Sequence, residues 1–311
     1  MIGTALGIQI ACDRFLIKGV DRAKWLHNFC TADINRLEIG DSAEALVLNG
    51  KGKTIGWMHV FSRTEGLQVL TPTGSAARLI EHFERYVIRE DVSFEIANDP
   101  PIDFFLWGPQ SIEKFREQTG VLLVGNQSLR TVLNGQEVWA TQITMIGPGI
   151  LVEVAPQSLS DPEAWFSSTG FEEGTGEELA WHRIRHRCPK WGTDFSDESL
   201  PQELVRDDLC ISFTKGCYLG QETVARIDAL GHVNRVLAVV SIETAADLVL
   251  PEDAFQGENK VGQLTSVVPD LENEDRHLGL ATLKRSVAQS GSALQIGGAM
   301  ASVVEPLAAN R

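Results

Sequence analysis

The chain has 311 residues, 43% of them hydrophobic, with 42 acidic against 27 basic side chains and a formal charge of −15. That length exceeds one compact core and implies two or three domains. The charge repels polyanions and no long Lys/Arg run offsets it, which argues against stable, direct nucleic-acid binding.

The longest apolar runs, 236–242 and 248–251, are broken by Glu243, Asp247 and Glu252, well short of the roughly 20 residues that span a bilayer. No basic leader or sustained apolar run precedes Asp13 and Arg14, so a soluble, non-secreted, cytoplasmic protein without membrane partners is expected. The five cysteines, Cys12, Cys30, Cys188, Cys210 and Cys217, show no paired spacing, and reduced thiols fit that odd count.

In chain order, residues 15–18, 45–48, 55–61 and 67–70 read as strands. Asp21 is placed to cap a helix carrying Trp25, Leu26 and Phe29 on one face. Ser75 is placed to start another, whose apolar residues Ala76, Leu79, Ile80, Phe83 and Val87 recur at helical steps. Segments 92–96, 104–107, 111–118, 130–133, 137–145 and 149–154 then alternate strand, strand, helix and three strands, a pattern resembling a ferredoxin-like α+β unit over residues 91–174. Asp161-Pro162 supplies an N-cap and first-turn proline for a helix closed by Gly170. A further helix over 177–187 stops before Pro189, because the residue preceding proline leaves the α region. Its basic cluster, Arg183, Arg185, His186, Arg187 and Lys190, reads either as a site for a small polyanion such as a glutamate tail or as a solvated helix face. Beyond Ile242, short strands separated by turn glycines, ending in the hairpin pair Gly297-Gly298, predict a small β-barrel over 243–311.

The segment richest in chemistry is Lys215-Gly216-Cys217-Tyr218-Leu219-Gly220-Gln221-Glu222-Thr223-Val224-Ala225-Arg226. It reads as a loop entering a short helix, with glycines free to turn or to approach a ligand. An ammonium two residues from Cys217 favours the thiolate, giving that cysteine nucleophilic or ligating character; a lone cysteine otherwise reads as a small buried hydrophobe. Gln221 and Glu222 offer amide and carboxylate edges for a pterin-like ring, or simply a dipole-favoured helix start.

This run resembles the signature of the YgfZ-type family, which shares its framework with the aminomethyltransferase (T protein) of the glycine cleavage system. Flanking segments agree: Arg183-Ile184, Cys188-Pro189, Gly192, Asp194 and Leu200-Pro201-Gln202-Glu203 before it, and near the start Trp25-Leu26, Thr31-Ala32-Asp33 and Asn49-Gly50-Lys51-Gly52. In the tail, Gly262-Gln263-Leu264-Thr265-Ser266 and residues 278–284 are similar to the family's closing barrel. The resemblance implies an α+β fold of the T-protein type. Mixed α/β folate-binding domains would be formed by 1–90 with part of 175–240, followed in space by the 91–174 unit and the barrel.

It also implies a site for tetrahydrofolate or a one-carbon derivative, in a central cavity with Lys215 and Cys217 as its reactive pair. Asn49, Glu203, Gly216, Tyr218, Gly220, Gln221, Glu222 and Arg226 would hold the cofactor, Glu203 matching a carboxylate that receives the pterin in the T protein. The implied role is an accessory one, in which folate and iron–sulfur client proteins, tRNA-modifying enzymes among them, are the partners. No resident cluster is expected, since a four-cysteine set is absent.

Two departures argue against the alternative, aminomethyl transfer itself. The T protein carries an aspartate where stretch 52–60 has no acid, and a Gly-Arg-Glu-type run where this chain has Gly220-Gln221-Glu222. His59, the titratable group near the position of that aspartate, reads as a satisfied sheet residue. A methylamine demethylase on the same fold would need a flavin motif, and no Gly-x-Gly-x-x-Gly follows a strand.

Overall fold

The computed structural model describes residues 4–243 and 248–308, so Asp247, invoked above, lies outside the described residues. The chain opens with β1 (Leu6–Ile10), β2 (Asp13–Lys18), α1 (Arg22–His27), β3 (Ser42–Leu48), β4 (Thr54–Arg63), β5 (Gly66–Thr71), α2 (Ala76–Glu84) and β6 (Ser93–Ile96). Five of these strands form an antiparallel sheet in the order β3-β4-β5-β2-β6. Both predicted helices are present, but their caps differ from expectation. Neither Asp21 nor Ser75 caps through its side chain. Asp21 accepts instead from the Asp91 backbone N–H, and the Ala76 N–H is taken by Asp13 across the sheet. Tertiary neighbours thus supplied acceptors that the local sequence suggested would be internal.

Next come β7 (Ile102–Trp107), α3 (Ser111–Thr119), β8 (Ser128–Leu133), β9 (Gln136–Ile143), β10 (Gly149–Val154), α4 (Pro162–Ser168), β11 (Glu172–Glu173) and α5 (Gly176–Arg185). Their strands recruit β1 into a second sheet of order β11-β1-β7-β10-β9-β8. The segment at 93–96 pairs with β2 in the first sheet rather than with this one. Helix α4 starts as its sequence requires, with Asp161 accepting from the Ala164 N–H. Helix α5 begins with a reciprocal Thr175/Glu178 capping box.

The two sheets face each other. Leu46, Trp57 and Phe61 of the first pack in one buried cluster with Phe105, Trp107 and Leu151 of the second. Helices α1 and α2 cover the outer face of the first sheet, and α3 and α4 that of the second. Coverage on both faces explains why β4 is buried almost continuously instead of alternately; each large apolar side chain enclosed this way contributes about 1.5–3 kcal/mol. Between the sheets lies a buried ionic quartet. Arg14 on β2 hydrogen-bonds Asp103 on β7 at 2.8 and 3.1 Å and forms an ion pair with Glu153 on β10 at 2.9 Å; Glu153 also takes Arg63 of β4 at 2.7 Å.

The remainder comprises α6 (Asp207–Cys210), α7 (Gln221–Leu230), β12 (Arg235–Glu243), β13 (Glu252–Gln256), β14 (Asn259–Pro269), β15 (Arg276–Lys284), β16 (Ala293–Ile296) and β17 (Ala299–Val304). Strands β12 to β17 close a six-stranded barrel in the order β12-β15-β14-β13-β16-β17. It begins before the composition change at 243, because β12 supplies its first wall. Helix α5 joins it to the sheets: Trp181 and Ile184 pack on Leu237, Val239, Leu278 and Leu280, while Asp194 receives Arg183, Thr265 and Ser266. The whole is α+β with sheets dominant. No helix among the described residues is long and apolar enough to cross a membrane.

Candidate functional site

Where the two sheets, α5, α6 and a barrel loop converge, a cavity of about 680 Å³ opens, walled by Glu44, His59, Trp107, Gln142, Trp181 and His182 among others. That volume lies in the usual range for a small-ligand site. Register in the first sheet sets Glu44 of β3 directly opposite His59 of β4. Both are almost fully enclosed, at 4% and 1% exposure.

Glu44 is saturated with donors. Its Oε1 receives the Trp57 indole N–H at 2.8 Å, the Arg206 guanidinium at 2.8 and 3.0 Å and the Cys210 thiol at 2.8 Å. Its Oε2 receives Thr144 at 2.7 Å and Arg206 at 2.8 Å. Burial, the largest single influence, would raise this carboxyl's pKa, but the adjacent guanidinium and the Cys210 and Thr144 hydrogen bonds together outweigh it and hold the pKa below the ordinary value. Arg206 also donates to the Cys188 sulfur at 3.3 Å.

His59 is different. Ser42 donates its hydroxyl proton to the Asn126 carbonyl at 2.7 Å. It can therefore only accept from His59 Nε2–H, 2.9 Å away. This assigns the neutral tautomer with a lone pair on Nδ1, and that atom is buried with no hydrogen-bond partner. Burial pushes the imidazole pKa down to about 4, so it is uncharged near neutrality. The sequence reading of His59 as a satisfied sheet residue is thus half right. His182 and His186 on the same wall are likewise held neutral, burial lowering their pKa values to about 3 and about 4.

The signature run occupies a different place. Lys215 is buried, and its ammonium donates to the carbonyls of His27, Cys30 (2.8 Å) and Ala32 (2.7 Å), with the Tyr218 ring 4.9 Å away. Burial lowers its pKa. The charge expected to activate Cys217 is therefore engaged in holding the 27–32 segment. Tyr218 packs into the intersheet core, where burial raises its phenol to about 12. Gln221 accepts from the Tyr218 N–H at 3.2 Å and so closes the turn into α7.

Gly220 has φ +83° and a Cβ there would lie 2.7 Å from the Asn49 carbonyl oxygen, so glycine is required by both conformation and space. Asn49 in turn accepts from the Lys51 and Lys53 N–H groups, and Thr223 donates to the Lys51 carbonyl. The two motif segments, distant in sequence, are packed together. Glu203 spends its carboxylate on the Leu200 N–H, capping the 3-10 turn Pro201–Leu204.

Gly216, Cys217, Glu222 and Arg226 are exposed. None of these candidates, buried or exposed, lines the 680 Å³ cavity. Among the five cysteines Cys217 alone is exposed; burial raises the thiol pKa values of Cys12 to about 12 and of Cys30 to about 11, and raises those of Cys188 and Cys210 as well. Among the described residues no group of three or more His, Cys, Asp or Glu side chains is placed to hold a metal ion. Sequence reasoning missed Glu44, Arg206 and the role of His59. The available signal was a single carboxylate, Glu44, set between alanines in an otherwise apolar strand.

No protein-family model matches the chain. It is 25% identical over 247 residues to the tRNA-modifying protein YgfZ of Vibrio atlanticus, spanning 79% of this chain and 72% of that protein. It is 25% identical over 233 residues to the YgfZ of Colwellia psychrerythraea, spanning 71% and 66%. Among solved structures, the glycine cleavage system aminomethyltransferase T from Bartonella henselae superposes with a TM-score of 0.78 over 97% of this chain and 86% of that one, at 14% identity, a likeness of fold. With the signature loop seated on the Asn49 turn, and with YgfZ proteins among the relatives aligned over most of the chain, it is similar to the YgfZ proteins and shares the aminomethyltransferase fold.

Proposed function

We propose that the protein is a cytoplasmic, tetrahydrofolate-binding accessory factor that supports iron–sulfur enzymes, tRNA-modifying ones included. In this reading the reduced folate or its one-carbon derivative occupies the 680 Å³ cavity, and Cys217 is the thiol offered to client proteins at the surface. The observation that carries the folate assignment is the orphaned Nδ1 of His59. A buried lone pair without a partner is costly; His59 lines the cavity together with Trp107, Trp181 and Gln142, and in this reading a small rotation of the ring brings Nδ1 to an N–H edge of a flat amino-heterocycle held there. When bound, the folate supplies a carrier for one-carbon units. The chain's residues bind and orient it: His59 accepts, and the Glu44–Arg206 pair keeps that end of the cavity rigid.

The client role draws support from the names of the relatives and from the accessibility of Cys217, since a thiolate is the form that attacks or ligates. A strain lacking its own YgfZ and carrying Cys217→Ser is expected to lose most of its cluster-dependent tRNA thiolation, about tenfold or more, while accumulating normal amounts of the variant protein. Thiolation equal to that with the wild-type chain would remove Cys217 from the account.

The fold favours one second reading, aminomethyl transfer. Its difficulty is chemical: 52–60 carries no acid, and both oxygens of the nearby Glu44 are already filled by donors. A reconstituted glycine-cleavage assay is expected to show no folate-dependent ammonia release, and robust release would establish the second reading instead.

A further inference from the structure

A larger cleft, of about 1120 Å³, lies away from the folate cavity, between the end of α5, the 3-10 turn at Pro201–Leu204 and the start of the barrel. Its lining carries Arg187, Arg235, Lys284 and Arg285, with His232 beside them and Glu305 as the one carboxylate. Four cations against one acid is a sharp local inversion in a chain of net charge −15. We propose that this cleft is a second binding site, for a small oligoanion bearing two or more neighbouring phosphate or carboxylate groups.

Three observations support this independently of the charge count. Arg187 is half-buried yet its guanidinium has no hydrogen-bond or ion-pair partner within 4.0 Å among the described residues; burial lowers its pKa and the more distant Glu305 only partly opposes this. An enclosed guanidinium with its donors unused is arranged for an incoming oxyanion, which it grips in two-pronged fashion. Arg187 also has φ +52°, and Val205 on the same wall has φ +54°. These are two of the three described non-glycine residues with positive φ, and such strain in a β-branched residue gathers where structure serves a site. Finally, the cationic rim surrounds a floor of buried barrel residues, including Leu237 and Val239, whose low dielectric strengthens charge pairing.

Calorimetric titration of the full chain tests the proposal, with tripolyphosphate in one arm and triglutamate in the other, at about 0.15 M salt. Saturable binding of at least one probe is expected, weakened about tenfold in both Arg187→Gln and Arg285→Gln and unchanged in Arg116→Gln, a surface arginine paired with Glu113 elsewhere. The arm that responds identifies the group as phosphate or carboxylate. Because Arg285 is exposed, its variant keeps the test valid if Arg187→Gln fails to fold. Absence of saturable binding in both arms, or wild-type affinity in Arg285→Gln, would overturn the proposal.

Discussion

Replacing Arg206 by methionine is expected to lower the unfolding free energy by about 3–5 kcal/mol, because it leaves the Glu44 carboxylate enclosed with its countercharge removed. The guanidinium reaches both carboxylate oxygens, the Thr144 carbonyl and the Cys188 sulfur. No other cation hydrogen-bonds Glu44 among the described residues. A buried pair is worth little against an apolar substitute, yet half of one is expensive. The double variant Glu44→Leu with Arg206→Met should therefore recover most of what the single variant loses. Denaturant titration of the two single variants and the double closes the cycle. A single-variant loss below about 1 kcal/mol would mean that the pair does not organise the cavity wall.

Lys215 and Cys217, adjacent in the signature but for one glycine, should behave in opposite ways. Lys215→Met is expected to cost about 3 kcal/mol, since three backbone carbonyls of the 27–32 segment lose a charged donor at once. Folate affinity should then fall only as far as folding does. Cys217→Ser, at an exposed position, should leave stability within about 0.5 kcal/mol. Thermal unfolding of both variants distinguishes the clamp from a catalytic lysine. If Lys215→Met were as stable as the wild type, the ammonium would be free for chemistry and the clamp would be wrong.

Most of the fold was legible because its signals are local. Short apolar runs marked β2 and β5, helical spacing marked α2, and Asp161-Pro162 marked α4 to within two residues. The loop entering α7 could be read from its glycines, and Gly220 does take positive φ. Caps were less legible: Asp21 and Ser75 have the right chemistry for capping, but the acceptor used for α2 lies 63 positions away in sequence, on Asp13. The same distance problem hid the cavity. Glu44 meets Arg206 across 162 positions, a pairing that no window of sequence contains, and its strand looked complete with the apolar run that follows it.

His59 was visible but undervalued, since whether its second nitrogen is satisfied depends on Ser42 and Asn126, a relay that only the folded sheet assembles. The signature run taught the opposite lesson. Its residues are distinctive, and motif chemistry gave Lys215 and Cys217 a reactive role and their neighbours cofactor binding; that Lys215, Tyr218, Gln221 and Gly220 also build the loop that presents the thiol is visible only in the fold.

A reduced folate seated against the His59 nitrogen is what the proposed function requires, and anaerobic calorimetry with tetrahydrofolate measures this directly. The wild-type chain should bind stoichiometrically with a dissociation constant of about micromolar order. His59→Leu, which keeps the apolar packing but removes the acceptor, should bind at least about tenfold more weakly while remaining folded. Equal affinity of the two proteins, or no binding by the wild-type chain, would contradict it.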